Sequence, residues 1–290
     1  MKEGINMALD YNSLLAHEFP VAEQTYTARD CMLYALSVGF GRDPLAAADL
    51  PYVFERDLRV LPTMAVALGF RSIREEQLGI DYTRVVHSEQ RLELHAPLPT
   101  AATVTSHTRV AEVVDKGEGR GAILYLERTL RDKASGTRLA TSTMAAFCRG
   151  DGGFGGPVTQ APAPHQLPER APDAVVSIAL PPNIALLYRL SGDYNPLHAD
   201  PAVAQRAGFE RPILHGLQVY GEVAREAVQR YADGDAQRLR SITCRFTGSL
   251  FPGDTIDLAF WRDGDTLGFR VSPQGRPGVA LDNGCVLLNS

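Results

Sequence analysis

Between Ile213 and Tyr231 the apolar residues Ile213, Leu217, Tyr220, Ala224, Ala227, Val228 and Tyr231 recur at steps of three and four. That spacing predicts one apolar stripe on a helix of about five turns. Beyond Asp233-Gly234-Asp235 the period becomes that of strands. Ser241 to Leu250, Thr255 to Trp261, Thr266 to Ser272 and Val279 to Leu288 are separated by Pro252-Gly253-Asp254, Asp263-Gly264-Asp265 and Gln274-Gly275-Arg276-Pro277-Gly278. A shorter helical stretch, Asn183 to Leu190, precedes the long helix.

The first half repeats this order more loosely. Ala28 to Phe40 is helical in pattern, with Thr27 and Asp30 suited to its start. A shorter helix is predicted near Pro62 to Leu68. Strands follow at Thr103 to Val114, Ala122 to Arg131 and Arg138 to Arg149, with turns at Lys116-Gly117-Glu118-Gly119 and Ser135-Gly136. Helix followed by antiparallel strands, twice, predicts an α+β chain in which a curved sheet wraps a helix in each half. Between the halves, Pro157 to Asp173 holds five prolines and follows the cluster Gly150-Asp151-Gly152-Gly153-Phe154-Gly155-Gly156. Such composition favours extended chain over a surface. The expected division is residues 1–156, a linker 157–173, and residues 174–290.

Composition narrows this only a little. A chain of 290 residues, 44% hydrophobic and 22% charged, can bury a real core. The net charge of -5 disfavours a nucleic-acid partner. No apolar run approaches about 18 residues, so no membrane span is expected. Met1 to Asn6 has no apolar core of signal-peptide length and the chain does not end in a peroxisomal address, so a cytoplasmic location is expected. Cys31, Cys148, Cys244 and Cys285 are far apart and read as reduced thiols.

The chemistry concentrates in Asp193-Tyr194-Asn195-Pro196-Leu197-His198, followed by Pro212-Ile213-Leu214-His215-Gly216. A carboxylate and an imidazole five positions apart on an irregular segment suit acid–base work. Gly216 offers a backbone N–H unpaired at a helix start, where partial positive charge stabilises an oxyanion on a carbonyl or thioester. Competing motifs fail on context. Gly150-x-Gly152-x-x-Gly155 is followed by prolines instead of a helix, so it is no dinucleotide site. His198 and His215 lack metal-motif spacing, and no Gly-x-Ser-x-Gly is present.

The run Leu187 to His198 resembles the signature of the MaoC-like (R)-specific enoyl-CoA hydratases, the hydratase 2 family, as does Ala207 to Leu217. Arg245-Phe246 and Pro252 to Thr255 extend the likeness downstream. Upstream, Val86 to Gln90, Asp115-Lys116-Gly117 and Gly152 to Gly156 resemble the two-repeat form found in the hydratase part of peroxisomal multifunctional enzyme type 2. The resemblance implies a double hot-dog fold and one active site per chain, since the first half has no Asp-x-Asn-x-x-His. It implies that Asp193 and His198 hold the catalytic water, that Asn195 orients water or the pair, and that the Gly216 N–H binds the thioester oxygen. Tyr194, Pro196 and Leu197 would line the loop touching substrate. His87, Ser88, Lys116 and Phe246 match positions that contact the acyl-CoA, with Ser88 standing where a glycine is usual. No metal or cofactor is implied; acyl-CoA is the substrate, and a homodimer is usual. A hot-dog thioesterase and a non-catalytic acyl-CoA-binding protein are the rival readings. The short helix near Pro62 further suggests an apolar hollow in the first half for an acyl tail of about ten carbons.

Overall fold

The computed structural model describes residues 9–157 and 161–289. Met1 to Asn6, and Val158, Thr159 and Gln160 of the linker, lie outside the described residues. The first half supplies β1 (Ala22–Tyr26), β2 (Val85–Leu94), β3 (Ala102–Asp115), β4 (Ala122–Asp132) and β5 (Arg138–Cys148). The second supplies β6 (Ala174–Ala179), β7 (Leu239–Phe246), β8 (Thr255–Asp263), β9 (Thr266–Pro273) and β10 (Leu281–Leu288). The order is β1-β3-β4-β5-β2-β7-β10-β9-β8-β6, which runs the same way inward from either edge. The two expected sheets are therefore halves of one, joined where β2 pairs antiparallel with β7 through Glu89 to Glu93.

The helices are α1 (Tyr11–Leu15), α2 (Ala28–Ser37), α3 (Leu50–Val53), α4 (Ile184–Tyr188), α5 (Pro201–Arg206) and α6 (Gly216–Tyr231). α2 starts as expected: the Thr27 N–H and hydroxyl both donate to Asp30 Oδ2 at 2.8 Å. α6 begins three residues later than the stripe suggests. Leu214 N–H is taken by Leu250 O at 2.8 Å and His215 is extended, so the chain enters the helix from a strand-like segment. Along α6, Val219, Tyr220, Val223, Ala224, Ala227 and Val228 are buried, and the helix packs on β7 and β10.

β1, β2 and β6 lack the pattern of strands. β1 and β6 are short edges. β2 is paired on both sides, carries buried Glu89 and Gln90, and is bulged at Ser88, so its alternation is broken. In the first half the place of α6 is taken by one 3₁₀ turn, Pro62–Val66, packed on β2 and β5. All five of its residues are buried, so the expected hollow is filled by the turn itself. The glycine cluster also has a structural use. Asp115 accepts from Gly117 and Gly153 N–H at 2.8 Å and Gly155 N–H at 3.0 Å, docking the cluster on the β3–β4 hairpin. Among the described residues no helix is long and apolar enough to cross a membrane.

A buried charge network locks the halves. Glu222, in the middle of α6, is fully buried and takes a bidentate Arg42 at 2.7 Å, with Arg225 and Gln218 at 3.2 Å. Gly221 permits the approach, since a Cβ there would lie 2.5 Å from Val38 Cγ1. Arg42→Met should destabilise the protein by about 3 kcal/mol in denaturant unfolding, because it leaves Glu222 only partly compensated. Arg42→Met combined with Glu222→Leu should cost less than the single change; equal or greater loss would show that the pair is not what the site needs.

Candidate active site

The motif loop is shaped by its own polar side chains. Asp193 Oδ1 accepts from Asn195 N–H and Asn195 Oδ1 from Leu197 N–H, both at 3.1 Å. Asn195 thereby caps a 3₁₀ turn, Pro196–His198, whose proline at its first position fixes the backbone. This brings His198 round to face Asp193. Its Nδ1 lies 2.9 Å from Ile213 O. A carbonyl only accepts, so Nδ1 carries the proton and Nε2 is left with a bare lone pair. Burial lowers the His198 pKa against the opposing pull of the Ile213 carbonyl and Asp193. The ring is therefore held as a neutral base.

His215, read from the sequence as part of the motif but given no role, is the residue that joins the pieces. It is buried, and its ring stacks on His198 with centroids 3.7 Å apart. Its Nε2 donates to Asp193 O at 3.2 Å. Burial, with His198 next to it, pushes its pKa down to about 3, so it stays neutral. No spacing could reveal this role, because the stack forms only when two separate segments meet. Immediately after it, Gly216 opens α6. A Cβ there would lie 2.7 Å from the Phe246 ring, so only glycine fits. Among the described residues the Gly216 N–H has no hydrogen-bond partner, and it sits at the positive end of a sixteen-residue helix.

Around this centre the other predicted residues divide. His87 packs edge-on against Phe246 at 4.8 Å, and burial brings its pKa to about 4. Ser88 occupies the bulge and spends its hydroxyl on Ala145 O at 3.0 Å, facing the sheet. Tyr194 is exposed beneath Arg189, 5.0 Å from guanidinium carbon to ring centroid; Pro196 is exposed and Leu197 half-buried. Lys116 is exposed on its hairpin, 5.8 Å above Phe147, which pairs with Val86 beside His87. It shares that end of the sheet, and among the described residues no hydrogen bond or ion pair joins its side chain to the motif loop.

A narrow cleft opens beside Asp193, with Tyr188, Ser191, Gly192 and Leu217 on one side and Val66, Ala67 and Phe70 on the other. Tyr188 Oη, Ser191 Oγ and His215 Nδ1 are buried and have no protein partner among the described residues. Asp193, His198 and His215 offer atoms within 4.8 Å of one another. A zinc site needs ligand atoms about 3.4 Å apart with converging lone pairs, whereas rings stacked at an interplanar angle of 29° aim theirs nearly parallel. The arrangement suits a bridging water: two hydrogen bonds of about 2.8 Å span such a gap.

Residues 24–150 match the family model described as MFE-2 hydratase 2 N-terminal domain, and residues 164–280 match that of the MaoC like domain. The chain is 40% identical to 3-hydroxyacyl-thioester dehydratase Y of Mycobacterium tuberculosis, over 97% of this chain and 98% of that protein. It is 37% identical to a peroxisomal enoyl-CoA hydratase 2 of Arabidopsis thaliana, over 88% of each. A MaoC-like dehydratase from Phytophthora capsici superposes with a TM-score of 0.85 at 30% identity, over 96% of this chain and 98% of that one. With its mirrored ten-strand sheet and motif loop, the chain belongs to the MaoC-like hydratase 2 family and has the double hot-dog fold.

Proposed function

We propose that the protein is a hydro-lyase that reversibly hydrates trans-2-enoyl-CoA to (3R)-3-hydroxyacyl-CoA in fatty acid metabolism. The observation that carries this is the Asp193 carboxylate and a ring nitrogen of His198 within 4.8 Å of each other, beside the unpartnered N–H of Gly216. Water held by the pair loses a proton to it as its oxygen bonds to C3. The C2–C3 double bond breaks, and a proton returned by the pair is added at C2. Negative charge growing on the thioester oxygen is met by the Gly216 N–H. Electrons and atoms balance with water alone, so the reaction calls on no redox cofactor. Asn195 keeps Asp193 aimed, while Tyr194, Pro196, Leu197, His87 and Phe246 border the acyl-CoA; Ser88, its hydroxyl spent on Ala145 O, shapes the bulge beside His87. The homodimer and the cytoplasmic location stay part of this reading, the first from the family resemblance and the second from the sequence.

The deciding assay follows loss of the conjugated thioester of an enoyl-CoA alongside a thiol reagent. Enone loss without thiol release and an R product are expected; thiol release would make the protein a thioesterase, and an S product would overturn the stereochemical assignment. Asp193→Asn and His198→Gln should each lower kcat by at least about 10²-fold while the protein stays folded; near-normal turnover in either removes that residue from the mechanism.

Because the working form of His198 is neutral and burial lowers its pKa, the acid limb of kcat/KM should lie below pH 6.5, the ordinary imidazole value. His215→Gln keeps a donor for Asp193 O but removes the ring covering His198. It should move that limb upward in pH and lower kcat, and an unmoved limb would show that the stack does not govern the base. Lys116→Ala should raise KM for the CoA thioester more than it lowers kcat, with the effect shrinking at high salt. An unchanged KM at low ionic strength would make Lys116 an ordinary surface lysine.

A further inference from the structure

Arg128 is buried on β4, and among the described residues it has no carboxylate partner. Its Nη2 donates instead to Ala65 O at 3.1 Å and Val66 O at 2.6 Å, the last carbonyls of the turn that stands where α6 stands in the other half. A cation suits the negative end of even a short helical turn, yet burying an unpaired guanidinium is costly, and its pKa falls to about 10. The guanidinium also lies 5.8 Å from the Phe70 ring centroid.

Other polar ties reach the same segment. Tyr34 Oη donates to Thr63 Oγ1 at 3.0 Å, Gly69 N–H donates to Gln24 Oε1 at 2.7 Å, and Ser106 Oγ donates to Gly69 O at 2.7 Å. The stretch is thus held chiefly at its backbone. Val66, Ala67 and Phe70 form one wall of the cleft beside Asp193. The opening between that wall and Tyr188 and Leu217 is about 20 Å³, room for about one water molecule and for no acyl tail. A longer chain must push this wall back, and Arg128 is the side chain that grips it at two carbonyls.

We infer that Arg128 sets the length of acyl chain the site accepts, by latching the Ala65–Phe70 wall across the tail end of the cleft. The inference rests on the acyl-CoA reading above, and binding of saturated thioesters, which cannot be hydrated, tests it apart from turnover. The measurement is Kd for butanoyl-CoA and decanoyl-CoA by calorimetry, in the wild type and in Arg128→Met. Methionine fills the space but offers no donor to Ala65 O or Val66 O. Decanoyl-CoA should gain at least about tenfold relative to butanoyl-CoA, the worth of roughly two newly buried methylenes. An unchanged ratio, or equal weakening of both, would give Arg128 a purely structural role and overturn the inference alone. A wild type that binds neither thioester would overturn the acyl-CoA reading with it. Should Arg128→Met not fold, Phe70→Ala trims the same wall while leaving both Arg128 hydrogen bonds in place and should shift the ratio in the same direction; no shift there also overturns the inference.

Discussion

The contact between Gly216 and the Phe246 ring fixes where α6 begins relative to β7, and the site depends on that point. Any side chain at Gly216 would collide with Phe246 at 2.7 Å, so the helix would have to withdraw from the sheet. Withdrawal would carry away the unpartnered Gly216 N–H, proposed above to meet the thioester oxygen, and with it His215, whose ring spans from the helix start to the motif loop. Close packing is thus what makes a helix terminus usable as a site. A free N–H at an exposed helix start would be hydrogen-bonded to water, whereas this one is half-buried against the Phe246 ring.

Burial does two jobs at this centre. It removes water around His198 and His215, keeping both imidazoles neutral although their rings touch. Two protonated rings at 3.7 Å would repel strongly in such surroundings. The carbonyls of Ile213 and Asp193 then choose the tautomers, one ring keeping a bare Nε2 lone pair and the other donating to the loop. The tautomer pattern therefore comes from backbone groups that the fold places.

The mirrored sheet has unequal contents. One half wraps a helix of sixteen residues whose start forms the site; the other wraps a 3₁₀ turn of five. A short turn leaves backbone carbonyls that no longer helix follows, and Arg128 is drawn in to satisfy them. The Glu222 network does the converse, holding the long helix to the other half through charge in addition to apolar contact.

Much of this protein was legible in its sequence. Period alone gave α6 and seven strands, because strongly amphipathic stretches fold the same way in most surroundings. Asp193, Asn195 and His198 were readable because the hydrogen bonds that shape their loop span only two residues. β2 was not readable, since a strand paired on both sides takes its pattern from its neighbours and this one carries buried Glu89, Gln90 and a bulge at Ser88. The His215 stack, the Phe246 contact and the Arg128 latch join residues far apart in the chain, so their meaning arises only once the sheet has closed. The turn at Pro62 shows the limit most plainly: its brevity was visible from a proline and a glycine, but whether the space it left stood open or filled was decided by packing.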